Sequence, residues 1–287
     1  MTTGSTVTLL KLPDRGYYKK GDKNDGVKII QQLINIQNDG SFDVLPKLVV
    51  DGEFGEKTEQ HVKLLQDVRH IVVDGEVGKK TLKVLREDKP GKNMQAINFA
   101  VAISRNNKYT YGVGSRAHRG GCPICDTNTG KKIHKKDQSG EPHVVNAKGR
   151  KWKTGDGKKY TYENTYCCNP FIFSAYAHGA HVAKMLAKCK AGGNATTGMD
   201  PKAWEKYGFK ILGKCSKVAY KDLRPGDVVM FAKNGKGHVW MFTGNGWLVE
   251  ASGGNWSASS IAHKKIAKKR YETYQTISTA YVVRYGK

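Results

Sequence analysis

YCCNPFIFSAYAHGAHVAKMLAKC, residues 166–189, is the stretch that orders the rest of the chain. Its apolar run is long enough for a buried helix, and Pro170 suits a first helical turn, where a missing N–H costs nothing. The helix is expected to begin at Cys168. A thiol there feels the positive end of the helix dipole, which favours the thiolate needed for attack on a carbonyl. Taken singly, Cys168 reads as a buried packing residue of the helix, so its weight depends on what else the chain supplies.

Towards the C-terminus, VVMFA at 228–232, VWMFT at 239–243, WLVEA at 247–251 and AYVVRY at 280–285 are strand-like segments bounded by turns, and they predict an antiparallel sheet. Helices first and hairpin strands later give an α+β domain. His238 is the candidate base for Cys168, and Glu250 on the next strand is the candidate third group, needed to hold the imidazole in one tautomer. Register decides whether they meet. A two-residue turn at Asn245-Gly246 sets His238 opposite Gly253 and turns Glu250 to the other face; a three-residue loop from Gly244 sets His238 opposite Ser252 and brings Glu250 to the same face. Two glycines in the loop favour the second register.

Towards the N-terminus, residues 115–162 are rich in Gly, Lys, Arg and Asn and read as an insertion. Cys122 and Cys125 have zinc half-site spacing, with His134 and His143 nearby to complete a structural zinc site; a lone CxxC also fits a turn with two thiols. Cys189 and Cys215 have no partner pattern and read as packing residues. Residues 88–95 contain Pro-Gly and read as a linker. Before them lies an internal repeat: VVDGEFGEKTEQHVKLLQ at 49–66 is answered by VVDGEVGKKTLKVL at 72–85. Asp51-Gly52 and Asp74-Gly75 are turn dipeptides, and Thr58 and Thr81 stand where a following helix is expected to need a cap. Val62, Leu65 and Val68, with Val27, Ile30 and Ile34, supply the apolar faces of a three-helix core.

Lys plus Arg exceed Asp plus Glu by 49 to 25, a net charge of +24. Such a charge favours an anionic polymer. No zinc-finger pair, aromatic RNA-binding signature or basic zipper gives it a groove to enter, so no nucleic-acid partner is expected. The basic run HKKIAKKR at 263–270 could line a polymer-binding surface or be a solvated face. No 18-residue apolar run is present, and no membrane span is expected. Six cysteines are too few for a disulfide scaffold.

DGEFGEKTEQHVKLLQ and VDGEVGKKTLKVL resemble the peptidoglycan-binding domain 1 family, a three-helix wall-binding module. The resemblance places Asp51, Gly52, Phe54, Asp74 and Gly75 at the wall-binding site. YTYGVG at 109–114, CCNPFIFSAYAHGA, LRPGDVVMF and GHVWMFTGNGWLVEAS resemble, in order, the blocks of the papain-like NlpC/P60 wall hydrolases. By that likeness the family cysteine falls on Cys168, its histidine on His238 and its oxyanion-site tyrosine on Tyr109. Cys167 stands where the family usually has Asp, and Glu250 where it often has His. An acidic third residue followed by Asn255-Trp256 is similar to the related CHAP amidohydrolases.

The division implied is an N-terminal segment 1–17, a wall-binding domain 18–87, a linker 88–95 and a catalytic domain 96–287. The resemblance implies a phage-endolysin-like hydrolase of peptidoglycan, binding anionic wall polymers too and needing no cofactor for catalysis. It would be made in the host bacterial cytoplasm without a signal peptide and act on the wall after release. The bond cut stays open between a stem-peptide amide and the amidase bond at N-acetylmuramic acid, a bacterial autolysin is the alternative to a phage enzyme, and a non-catalytic wall-binding protein and a basic nucleic-acid-binding protein are the alternatives from other classes.

Overall fold

The computed structural model describes residues 10–106, 109–111, 124, 151–153, 159–161, 165–190, 199–233, 236–252 and 260–286. It is an α+β structure: helices lead, and a six-stranded antiparallel sheet follows.

The first three helices are α1 (Asp25–Gln37), α2 (Glu56–Val68) and α3 (Lys79–Leu85). α1 starts where Asn24 Oδ1 accepts the Val27 main-chain N–H, which satisfies a donor that the first turn leaves free. Val27, Ile30 and Ile34 of α1 pack with Val62 and Leu65 of α2 and Leu82 and Leu85 of α3. Val68 departs from the face expected for it. With Leu64 it joins the core of the sheet domain, so α2 is buried on two sides.

The repeated turns are built alike. Gln31 Nε2 donates to Asp51 Oδ1 (2.7 Å) and Glu53 O (3.0 Å), while its Oε1 accepts the Gly52 N–H (2.9 Å). Gln66 does the same with Asp74 (2.7 Å), Glu76 O (2.9 Å) and Gly75 N–H (2.9 Å). Gly52 and Gly75 have φ of +84° and +82°, in the region that disfavours a Cβ. Thr58 and Thr81 are not caps. The cap positions are Gly55 and Gly78, and each threonine is buried beneath its turn, accepting from the glutamine and donating to the Glu53 or Glu76 carbonyl.

Helix α4 (Lys92–Arg105) begins inside the stretch expected as a linker. A two-stranded parallel pair follows, β1 (Thr110–Tyr111) with β4 (Thr165–Tyr166), and a hairpin of β2 (Lys151–Lys153) with β3 (Lys159–Thr161). Helix α5 (Cys168–Ser174) runs into a π-helical turn, Ala175–Gly179, and is followed by α6 (Ala183–Lys190) and the short α7 (Lys202–Glu205). The sheet comprises β5 (Phe209–Lys214), β6 (Val228–Lys233), β7 (Lys236–Gly244), β8 (Trp247–Ser252), β9 (Ser260–Lys264) and β10 (Ala280–Tyr285), in the order β5-β10-β6-β7-β8-β9. Helix α8 (Ala267–Gln275) precedes β10.

Strand alternation assigns the two faces. Val228, Met230, Val239, Met241 and Val249 meet the α4 and α5 side, with Ile97, Phe99, Phe171 and Phe173. Val229, Trp240, Phe242 and Leu248 meet α8 through Ala267, Tyr271 and Tyr274. By the same period of two, His238 and Glu250 share the face of Trp240 and Leu248.

Candidate active site

Cys167 is the N-cap of α5 and Cys168 its first helical residue, with Pro170 inside the first turn. β1 lies beside β4, Thr110 opposite Thr165 and Tyr111 opposite Tyr166, so the segment carrying Tyr109 runs alongside the strand that leads into Cys168. The half-buried Tyr109 ring is 6.0 Å from that of Tyr166, which packs edge-on against Phe171 of α5.

The β7–β8 connection combines the two registers that the sequence allowed. Gly244 pairs with Trp247 around a tight Asn245-Gly246 turn, and residues 244–246 all have positive φ. One residue earlier the ladder shifts, and Phe242 faces Leu248 and Met241 faces Val249. This bulge at Thr243 supplies the offset expected from a longer loop and keeps Glu250 on the face of His238.

His238 Nε2 lies 2.8 Å from Glu250 Oε2 and donates to it. With Nε2 engaged, Nδ1 is the ring nitrogen left for the thiol, and the imidazole is hydrogen-bonded to Cys168. Cys168 is 8% exposed and Glu250 fully buried. Burial pushes the Cys168 thiol up, but the hydrogen bond and charge of His238, with main-chain bonds at Val239 and Asn169, outweigh it and leave the thiol below its ordinary value. Burial alone would push His238 down; the bonds to Cys168 and Glu250 win and raise it to about 9. Glu250 is also opposed by burial, yet His238, Arg270 and Lys264 hold it below the usual carboxylate value. The three shifts describe a thiolate, an imidazolium and a carboxylate in a row. Such a row can attack a carbonyl carbon and protonate a leaving amine.

Arg270 of α8 was hidden in the basic run of the sequence. Its Nη2 donates to Glu250 Oε1 at 2.7 Å, on the oxygen that His238 leaves free. Within the same run His263 is 4% exposed, lying between Asp67 Oδ1 (3.0 Å) and Thr243 Oγ1 (2.8 Å), while Ala267 is core. Lys265, Lys268 and Lys269 remain on the surface. A further contact that no local pattern announced joins His178 to Asp43 (2.8 Å) and to Cys189 (3.7 Å). Cys189 and His178 are 3% and 5% exposed, so this thiol faces the packing between α6, the π-helical turn and the 38–48 loop.

Of the residues expected at the wall-binding site, Phe54 is a core side chain, 1% exposed. Asp51 and Asp74 accept from the buried glutamines, and Gly52 and Gly75 form the turns between them. The exposed large apolar side chains beside these turns are Val49, Val50, Val72 and Val73. Cys122, Cys125, His134 and His143 lie outside the described residues. Among the described residues no cluster of three His, Cys, Asp or Glu is placed to hold a metal, and no helix is long and apolar enough to cross a membrane.

Comparison with known proteins gives two family matches. Residues 23–85 match the model of the peptidoglycan binding domain family PG_binding_1, and residues 157–275 match that of the NlpC/P60 family. No curated protein and no solved structure matches the chain. Cys168, His238, Glu250 and Arg270 fall within the second match, and both repeated turns within the first. The two matches support an architecture of a peptidoglycan-binding domain followed by a domain of the NlpC/P60 family, whose members are cysteine peptidases and amidases acting on peptidoglycan.

Proposed function

We propose that the chain hydrolyses an amide bond of peptidoglycan, with Cys168 as nucleophile, His238 as acid and base, and Glu250 as the group that orients His238. The observation that carries this reading is the buried hydrogen-bonded row Cys168–His238–Glu250, in which the thiol is depressed and the imidazole raised. The Cys168 thiolate attacks the carbonyl carbon, and main-chain N–H groups near Cys168, with Tyr109, stabilise the oxyanion. The His238 imidazolium gives its proton to the leaving amine as the C–N bond breaks. Neutral His238 then takes a proton from water, whose oxygen attacks the thioester and releases Cys168.

The stem peptide is the substrate this reading favours, which makes the enzyme an endopeptidase. A glutamate as the third residue favours a second reading, an amidase cutting between N-acetylmuramic acid and L-alanine. Mass spectrometry of wall fragments separates them by the new amine released. The net charge of +24 supports binding of anionic wall polymers alongside peptidoglycan. A binding module and a hydrolase on one chain suit bacteriolysis of the kind a phage endolysin performs.

The test is turbidity loss of purified Gram-positive walls with wild type, Cys168→Ala and Cys167→Ala. Loss of lysis with Cys168→Ala alone supports the reading. Equal activity of all three removes the thiol mechanism, and wall binding without lysis by the wild type leaves a non-catalytic binder.

A further inference from the structure

We propose that Arg270 is a positioning residue of this site, fixing Glu250 so that its second oxygen is aimed at His238; the proposal rests on the thiol mechanism above. Glu250 is fully buried, and its two oxygens are divided between two donors, His238 Nε2 on Oε2 (2.8 Å) and Arg270 Nη2 on Oε1 (2.7 Å). Its cross-strand neighbour on β9 is Ala262, whose side chain offers no polar group.

The charged and titratable groups around Glu250 come from four elements. β7 presents His238, α8 presents Arg270 and Tyr274, β9 presents Lys264 at longer range, and α5 presents Cys168 beyond His238. Read in order, Cys168, His238, Glu250 and Arg270 alternate in sign and sum to zero. Without Arg270 the row carries a net negative charge in a site of low dielectric, and burial favours uptake of a proton. A protonated Glu250 donates to His238 Nε2 instead of accepting from it. The remaining imidazole proton then sits on Nδ1, and His238 no longer takes the thiol proton. Arg270 therefore acts on the thiolate through two intermediates without touching substrate. α8 can hold the guanidinium there because Ala267, Tyr271 and Tyr274 anchor the helix against the sheet.

The experiment is alkylation of the full chain by iodoacetamide across pH, followed on the Cys168 peptide by mass spectrometry, so that no wall substrate enters. Arg270→Gln is expected to move the acid limb of Cys168 alkylation up by about one pH unit or more. Arg270→Lys should recover most of that shift, and Lys269→Gln, an exposed neighbour on α8, should leave the profile of the wild type. In a Glu250→Gln background, adding Arg270→Gln should move the limb no further, because the route through Glu250 is already cut. An unmoved limb, or an equal fall in rate at every pH, overturns the proposal. Should Arg270→Gln not fold, Arg270→Ala at this partly exposed position carries the same test: an upward shift of the limb supports the proposal and a profile identical to wild type overturns it. If wild-type Cys168 is alkylated no faster than Cys167 at neutral pH, the thiol mechanism itself fails, whatever Arg270 does.

Discussion

Replacing Glu250 by Gln tests the site with the smallest change of shape. The carboxylate accepts twice, from His238 at 2.8 Å and from Arg270 at 2.7 Å, whereas an amide has one acceptor and one donor. If the amide oxygen keeps Arg270, its NH₂ faces His238 Nε2, and the imidazole must give up that proton to accept. If the amide is turned, its NH₂ faces the guanidinium and that contact is lost. Either way one hydrogen bond between charged partners disappears, about 1.5–3 kcal/mol, and the imidazolium loses its counter-ion. Taking about 3 kcal/mol as the loss in the transition state, the rate at pH 7 should fall about 100-fold. Glu250 is fully buried, so the loss should appear in kcat and leave KM almost unchanged. Amine release from purified walls measures it, with Cys168→Ala as the zero. If Glu250→Gln keeps more than a third of the wild-type rate while Cys168→Ala has none, Glu250 is not the residue that orients the base.

The pH profile should be wide. With the thiol depressed and His238 raised to about 9, alkylation of Cys168 should outpace that of an ordinary thiol below about pH 8.5, and wall hydrolysis should fall above about pH 9 as the imidazolium is lost. A Cys168 alkylation midpoint near 8.5 would contradict this. His61 of the helical module gives a separate acid sensitivity. Burial holds it neutral down to about pH 4, its Nε2 donating to Pro46 O (2.9 Å) and its Nδ1 accepting from Asn38 (3.1 Å). The unfolded chain takes up this proton near pH 6.5, so stability is full above that pH and declines towards pH 4 by about 3 kcal/mol. Thermal unfolding of wild type against His61→Gln reads it, the variant losing that part of the pH dependence. Gln66→Leu should cost about 2–3 kcal/mol in urea unfolding, since it strands the buried Gly75 N–H and takes a donor from the Glu76 carbonyl and the buried Thr81 hydroxyl; a change under about 0.5 kcal/mol would mean that the glutamine does not hold the turn.

The parts of this chain legible in the sequence were those written in local periodicity. The duplicated Asp-Gly-Glu turns, the helix opening at Cys168 and the alternation that separates Val239 from Trp240 all follow from spacing. Thr58 and Thr81 misled because a threonine after a turn usually caps a helix. Here the deciding residues are Gln31 and Gln66, each on an otherwise apolar helical face before its turn, and a polar side chain in that position was the available signal. Arg270 and His263 were not legible. In HKKIAKKR every basic residue looks alike until α8 is phased against the sheet, and the partner of His263, Asp67, is 196 residues away in sequence. The hairpin showed both the reach and the limit of turn rules: they led to the register Glu250 needs through a three-residue loop, whereas the tight Asn245-Gly246 turn forms instead and a bulge at Thr243, which has no sequence marker, supplies the offset.

The same long-range contacts bear on how the two domains work together. α2 gives Val62 and Leu65 to one core and Leu64 and Val68 to the other. Around it, His70 Nε2 donates to Thr243 O (2.9 Å) with its ring stacked on Trp247, Arg105 reaches Asp67 (2.8 Å), and Asn98 donates to the Gln37 and Asp39 carbonyls (2.8 and 3.1 Å). A module on a slack tether would raise the local concentration of wall at the active site in all directions. A docked module does something different, because it holds its ligand surface at one distance and orientation from Cys168 and, on the hydrolase proposed above, would restrict which amide bonds come within reach. Removing the helical module would also uncover the apolar surface that Leu64 and Val68 occupy and strip the Thr243 bulge, on the strand that carries His238, of its His70 contact. Loss of lysis in such a truncation would then report a disturbed catalytic domain as much as lost wall binding. Substitution of exposed residues such as Val49 and Val72, which touch neither core, separates the two effects.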